Sequence, residues 1–127
     1  MVVRKHNEIV RGALDRHAGL EIKHTGDGIM ASLKNTVNAV ESCIEMQRNV
    51  APHNAADADH PLDICIGLNA GEPIAEDGDL FGATVQLAAR ISDKASGGQI
   101  LTAGVVRELC AGKILTFNKC SEYEMKD

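Results

Sequence analysis

The sequence predicts an α+β domain in which short helices lie on one face of a small antiparallel or mixed sheet. Two observations predict this class: several segments space their apolar residues three and four apart, and short apolar runs bounded by turn residues lie between them. Strands and helices do not alternate strictly, so a doubly wound parallel sheet is not expected. The length of 127 residues is that of a single domain.

The first predicted element is a helix over 3–17. Its apolar positions recur at helical spacing, and Gly19 stands where a left-handed cap at the end of a helix is expected. Residues 1–3 supply no N-cap side chain, and no element precedes the helix. We therefore expect a further segment before residue 1.

A β-hairpin and a second helix follow. The apolar runs 20–24 and 29–33 flank an Asp-Gly turn, which predicts a hairpin. After Asn35 the apolar residues again follow helical steps, interrupted only by Gln47. We predict that this helix ends at Pro52 and that a polar surface loop covers 51–61.

The second half predicts a strand, a hairpin turn and a third helix. Residues 62–70 alternate between apolar and polar side chains, which indicates a half-buried strand. An acidic turn at 76–79 indicates a hairpin, and 82–95 has the pattern of a helix ended by two glycines. The remaining predicted elements are a strand at 99–102, a short helix at 104–111 and strands at 114–117 and 122–125.

Composition excludes several classes of function. The formal charge is −5, and one Tyr, two Phe and no Trp leave little to stack on bases, so a nucleic-acid polymer is not an expected partner. No apolar run reaches the roughly 20 residues that span a bilayer, and the first residues lack a signal-peptide pattern. A cytoplasmic location is therefore expected. The four cysteines match no zinc or redox spacing and are expected to be reduced.

The first hairpin holds two candidate site residues. Asp27 lies in the turn, where a carboxylate can reach a divalent cation, although a turn also selects Asp for its backbone tolerance. Lys23 precedes it by four positions and, taken alone, is interpreted as an ordinary solvated lysine on a strand. His24 and Asn69 are interpreted as packing or hydrogen-bonding residues.

The third helix holds two more candidates, Gln86 and Arg90, which share one face because they are four residues apart. Asp79 lies in the turn just before this helix. Such a set is often only a solvated helix face. Arg90, however, interrupts an apolar stretch, and an arginine there needs an acidic or phosphate partner.

Taken together, these positions resemble a known family. The segment at 23–31, KHTGDGIMA, is similar to the K-x-x-G-D-x-x-M-A hairpin of class III adenylate and guanylate cyclases. The segment at 79–90, DLFGATVQLAAR, resembles their D-x-[FW]-G-x-x-V-N-x-A-x-R motif, and IGLNAGEP at 66–73 resembles their central hairpin. The resemblance implies a ferredoxin-like βαββαβ-type core, with residues 1–127 forming a partial cyclase domain that lacks the first strand.

The resemblance also implies roles for the candidate residues. Asp27 would be the second of two metal-binding aspartates, for Mg²⁺ or Mn²⁺, and Arg90 would contact phosphate in the transition state. Lys23 and Asp79 would contact the purine, in a donor and acceptor pattern that suits adenine better than guanine. The reaction would convert ATP, or alternatively GTP, into the cyclic nucleotide and pyrophosphate, at a site between the two subunits of a homodimer.

Two departures from the family pattern leave other functions open. The first metal-binding aspartate would belong to a strand before residue 1, and Gln86 stands where the family has an Asn that orients the ribose. Its amide is one methylene further out, and a misplacement of about 1 Å can cost about a hundredfold in rate. The alternatives are a catalytically inactive pseudo-cyclase, acting as a regulatory or dimerisation module, and an interaction domain without a nucleotide site. Lys126, near the end of the chain, is a weaker candidate for a phosphate contact.

Overall fold

The computed structural model describes residues 2–25 and 28–113, and this part of the chain has the expected α+β architecture. The turn at 26–27 and the strands predicted at 114–117 and 122–125 lie outside the described residues. The elements, in chain order, are α1 (Val2–Arg16), β1 (Leu20–Thr25), β2 (Gly28–Ser32), α2 (Thr36–Ala56), β3 (Ile66–Leu68), β4 (Ile74–Glu76), β5 (Asp79–Phe81), α3 (Ala83–Lys94), β6 (Ile100–Thr102) and α4 (Gly104–Leu109).

Helix α1 ends in a way that the sequence only partly predicted. The left-handed residue is Ala18, with φ of 58°, and not Gly19. The Gly19 N–H donates to the Leu14 carbonyl across 2.7 Å, as in a Schellman cap. A Cβ at Gly19 would lie only 2.7 Å from Leu14 Cδ2, so close packing explains this glycine.

Strands β1 and β2 form the expected antiparallel hairpin, in which Lys23 pairs with Met30. One face of β2 is covered, because Ile29 and Ala31 pack against the buried cluster that α1 and α2 form with the segment after α2. Side chains alternate along a strand, so Met30 and its partner Lys23 lie on the opposite face. The hairpin therefore keeps Lys23 away from the core.

Helix α2 begins where the sequence predicted, with Asn35 Oδ1 accepting a hydrogen bond from the Asn38 N–H at 3.0 Å. It does not end at Pro52 but continues to Ala56. A proline lacks a backbone donor, so the helix loses one hydrogen bond there. Asn54, in the last turn, compensates by tying the helix to the next segment, because its side-chain amide bonds both backbone groups of Leu62. The predicted surface loop therefore starts at residue 57.

Gln47, which interrupts the apolar spacing of α2, joins that helix to two other segments. Its Nε2 donates to the Ile64 carbonyl at 2.8 Å and to the Gln99 carbonyl at 3.2 Å. These carbonyls lie just before β3 and β6 respectively, so one side chain satisfies backbone acceptors at the start of both strands.

Only three residues of the strand predicted at 62–70 are in a ladder. Strand β3 pairs with β6 in parallel, with Ile66 opposite Ile100 and Leu68 opposite Thr102. Leu62 and Ile64 are buried as the alternation predicted, each 3% exposed. They reach the core outside any strand pair among the described residues.

The acidic turn joins β4 and β5 into a tight antiparallel hairpin. Asp77 and Gly78, the two turn residues, both have positive φ, at 52° and 76°. This is the backbone of a two-residue type I′ turn, whose twist suits the flanking strands. Ile74 pairs with Phe81 and Glu76 with Asp79. In the described part of the chain, the three strand pairs remain separate two-stranded sheets.

Helix α3 lies close against β3. A Cβ at Gly67 would overlap the backbone of Ser92, so the strand and the helix approach at a position that only glycine permits. A second buried cluster, of Val40, Val106 and Cys110, joins α2 to α4.

The three described cysteines are free thiols, as predicted, while Cys120 lies outside the described residues. Burial raises the pKa of the Cys43 thiol to about 11, which keeps it protonated at neutral pH. Among the described helices, none is long and apolar enough to span a bilayer.

Candidate active site

Lys23 and Asp79, both predicted to contact a base, form an ion pair. Lys23 Nζ lies 2.9 Å from Asp79 Oδ2. The other carboxylate oxygen, Oδ1, accepts the Leu80 N–H at 2.7 Å. The hydrogen bond from Lys23, and then that from Leu80, hold the pKa of Asp79 below its usual range, so this carboxylate is ionised at neutral pH.

Two hairpins bring these groups together. Lys23 lies on the face of β1 away from the buried cluster, and Asp79 is the first residue of β5, directly after the type I′ turn. Their side chains are 46% and 28% exposed, so both reach solvent as well as each other. The pair thus presents one cationic donor and one anionic acceptor side by side on an accessible surface.

Helix α3 carries the other two candidates. Gln86 is exposed and Arg90 is half-buried. Contacts of α3 with the β3 region involve Thr84, Ala88 and Ser92. Because each residue advances about 100° around a helix, Gln86 and Arg90 lie nearly opposite that packed stripe. The helix therefore turns them away from the β3 region.

The structure does not assemble a complete metal site from the described residues. Asp27, the predicted metal ligand, lies outside them. Among the residues of 2–25 and 28–113, no three His, Cys, Asp or Glu side chains lie close enough together to hold a metal ion. The described carboxylates therefore do not by themselves fit the two-ion site that the motifs imply.

A cavity of about 390 Å³ lies between β2, β3, α3 and α4. Its lining includes Met30, Leu68, Leu80 and Thr84, but none of Lys23, Asp79, Gln86 and Arg90. The candidate residues therefore lie outside this half-open cavity.

The structure adds a contact that sequence reasoning did not identify. Asn69 Nδ2 donates to the Thr84 carbonyl in the first turn of α3, at 3.1 Å. The interpretation of Asn69 as a hydrogen-bonding residue is thus confirmed, and His24 Nε2 similarly lies 3.5 Å from Asn7 Nδ2. Sequence reasoning missed the partner because 15 residues separate Asn69 from Thr84.

Comparison with known proteins extends the motif resemblance to the whole chain. Residues 1–127 match the family model described as the adenylate and guanylate cyclase catalytic domain. The chain is 31% identical over 132 residues to the putative adenylate cyclase 3 of Rhizobium meliloti, which covers 100% of this chain and 22% of that protein. The chain thus spans a minor part of that relative's length.

Solved structures agree in fold. An adenylate/guanylate cyclase/hydrolase from Silicibacter pomeroyi matches with a TM-score of 0.71 and 29% identity, over 81% of this chain and 62% of that one. The catalytic core of a rhodopsin-guanylyl cyclase with converted specificity, in complex with ATPαS, matches with a TM-score of 0.78 and 21% identity, over 90% of this chain and 68% of that one. With the family model matched over residues 1–127, the chain belongs to the adenylate and guanylate cyclase catalytic domain family.

Proposed function

We propose that this domain converts ATP into cyclic AMP and pyrophosphate at a site shared between two copies of the chain. The observation that carries the proposal is the 2.9 Å ion pair between Lys23 Nζ and Asp79 Oδ2. It places a donor and an acceptor side by side, which are the two kinds of group that the ring nitrogen and the exocyclic amine of adenine require.

Adenine fits this pair better than guanine does. Lys23 would donate to an unprotonated ring nitrogen, and Asp79 would accept from the exocyclic amine. Guanine presents a carbonyl and a ring N–H at the corresponding positions, which reverses both polarities. The lowered pKa of Asp79 keeps its carboxylate an acceptor at neutral pH. GTP is the alternative substrate, because a guanylyl cyclase and a guanylate cyclase domain in complex with GTP are among the proteins of matching fold.

The reaction forms one bond and breaks another. The ribose 3′-oxygen loses its proton and bonds to the α-phosphorus, while the bond from that phosphorus to the bridging oxygen breaks and pyrophosphate leaves with the electron pair. The Arg90 guanidinium would stabilise the charge that builds on the phosphoryl oxygens, and the Gln86 amide would orient the ribose. Mg²⁺ or Mn²⁺ supplies further charge neutralisation in such reactions, with Asp27 as the ligand that the motifs imply.

A second copy of the chain would complete the site. Lys23, Asp79 and Gln86 all reach solvent, and the cavity described above is lined by none of them. Phosphoryl chemistry benefits from a site closed to water, so a covering surface is required. In a symmetric homodimer, Asp27 of one protomer would face Lys23, Asp79 and Arg90 of its partner across each of two equivalent sites.

The direct test is turnover by the native-length protein. We expect cyclic AMP and pyrophosphate in equal amounts from ATP with Mn²⁺, and less product from GTP. Arg90→Ala should lower kcat at least a hundredfold, whereas Arg48→Ala, on the exposed side of α2, should leave kcat unchanged. Binding of ATP without any cyclic product would instead support the inactive regulatory module, for which Gln86 is the motivating residue.

The shared site has its own test. Asp27→Ala and Arg90→Ala, each inactive alone, are mixed in equal amounts and allowed to exchange subunits. Half of the dimers then contain both variants, and each of these has one intact site, so about a quarter of the wild-type activity should return. No recovery, with exchange verified, would contradict a site built from two protomers.

A further inference from the structure

We propose that Asn69 is a positioning residue that anchors the first turn of α3 and thereby places Gln86 and Arg90. The expected effect on catalysis rests on the cyclase activity proposed above, whereas the anchoring of α3 rests only on the contacts of Asn69. Asn69 directly follows β3, and its Nδ2 donates to the Thr84 carbonyl at 3.1 Å in a partly buried setting. A carbonyl oxygen can accept two hydrogen bonds, so this bond is compatible with the helical one.

The start of α3 depends on outside contacts because its own cap is weak. The N-cap residue is Gly82, with φ of 110°, and no side chain caps the first turn. Uncapped helix ends leave backbone donors without intrahelical partners and fray more readily than capped ones. The bond from Asn69 holds this turn from the side instead.

A second contact restricts the same turn. A Cβ at Gly71 would lie 2.5 Å from Thr84 Oγ1, so the Thr84 side chain occupies the space that a larger residue would fill. Further along the helix, Gly67 lies against Ser92. The segment 67–71 therefore holds α3 on both sides of the stretch that contains Gln86 and Arg90.

This anchoring has a geometric effect on the candidate residues. Arg90 lies six residues after Thr84, about 9 Å along the helix axis and about 120° around it. A small rotation or shift of the helix at its first turn therefore moves Gln86 and Arg90. A displacement of about 1 Å at a reacting group costs about a hundredfold in rate.

The test compares Asn69→Asp and Asn69→Ala with Asn54→Ala in the native-length protein. Asp has nearly the same shape as Asn but cannot donate when ionised. We expect both Asn69 variants to lower kcat at least tenfold, with KM for ATP changed by less than about twofold. Asn54 also bonds backbone groups, those of Leu62, so its variant should lower the melting temperature and leave kcat unchanged.

Two further measurements separate anchoring from general stability. Asn69→Asp should speed amide hydrogen exchange over 83–90 and leave the β1–β2 hairpin unchanged. In an Arg90→Ala background it should cost less activity than in the wild type, since part of its effect acts through the position of Arg90. Unchanged exchange over 83–90, or a full additional loss in that background, would overturn the inference. An inactive wild-type protein would refute the proposed function, and the exchange result would still decide whether Asn69 anchors α3.

Discussion

The Lys23 ammonium and the Asp79 carboxylate, 56 positions apart in the chain, meet at 2.9 Å and tie the first hairpin to the β4–β5 hairpin. Each group is the other's partner before any ligand arrives. A base that bonds both groups must therefore present an acceptor to Lys23 and a donor to Asp79.

Reversing that polarity should reverse the choice of base. Lys23→Glu combined with Asp79→Cys replaces the donor with an acceptor and removes the carboxylate that would repel the guanine carbonyl. We expect the ratio of kcat/KM for GTP to that for ATP to rise about a hundredfold or more. Lys5→Glu, which makes the same lysine-to-glutamate change at a partly exposed position of α1, is the control. An unchanged ratio in the double variant would refute the assignment of the pair to base recognition.

The pH dependence of the ion pair follows from the pKa of Asp79. Because the folded state lowers this pKa, the contribution of the pair to stability is fully present at neutral pH and is lost only as the pH falls through the lowered value. Lys23→Met removes the hydrogen bond that is the largest cause of this lowering, so the pKa of Asp79 should move upward, toward the usual range for Asp. A carboxyl ¹³C titration by NMR measures both values. Identical titration curves for the two proteins would contradict the ion pair in solution.

Shortening the side chain at position 86 should improve catalysis. Gln86→Asn brings the amide back by one methylene to the position that the family motif implies, and we expect kcat to rise about tenfold to a hundredfold. The matched control is Gln99→Asn, which shortens an amide that bonds the Ser96 backbone just beyond the C-terminal end of α3. Equal or lower kcat in Gln86→Asn would show that position 86 does not orient the ribose.

The close approach of β3 to α3 predicts a large effect of a single methyl group. Gly67→Ala would push the backbone of Ser92 away and should lower the free energy of unfolding by about 1–3 kcal/mol. Gly104→Ala adds the same methyl group at the start of α4, where it meets no atom within 4 Å. Urea denaturation should show a lower midpoint for the first variant and an equal or higher one for the second. Equal stability of the two would mean that β3 and α3 pack less closely.

The amide of Gln47 predicts a second effect on stability. Gln47→Met keeps the size of the side chain but leaves the Ile64 and Gln99 carbonyls without its donor, which should cost about 1–3 kcal/mol. Arg48→Met, one residue along on the exposed side, should change stability by less than about 0.5 kcal/mol. The difference between the unfolding free energies of the two variants measures what the two hydrogen bonds of Gln47 contribute to stability.

Local patterns predicted the helices better than the strands. Helices α1 and α3 match the expected spans to within about one residue at each end, since their apolar spacing is regular. Helix α2 passes through Pro52 because contacts of Asn54 with Leu62 stabilise the turn beyond it. The strand expected at 62–70 shrinks to Ile66–Leu68, since alternation reports burial on one side and not the presence of a neighbouring strand.

The candidate site, too, could be predicted from the sequence only in part. Lys23 and Asp79 could each be selected from the motifs, but their direct pairing depends on how two hairpins meet, which no local pattern contains. Gln47 could be noticed as a break in the apolar spacing, yet its two carbonyl partners follow from the tertiary structure. Asp27 lies outside the described residues, and its role as a metal ligand stays a prediction.

The two-residue turn at Asp77 and Gly78 leaves this hairpin no freedom in length. Adding or deleting a single residue there would shift the pairing of β4 with β5 by one position, and side chains in a strand change face with every such step. Asp79 would then point away from Lys23 while the hairpin itself survived. Variants of this turn should therefore tolerate changes of residue type far better than insertions or deletions.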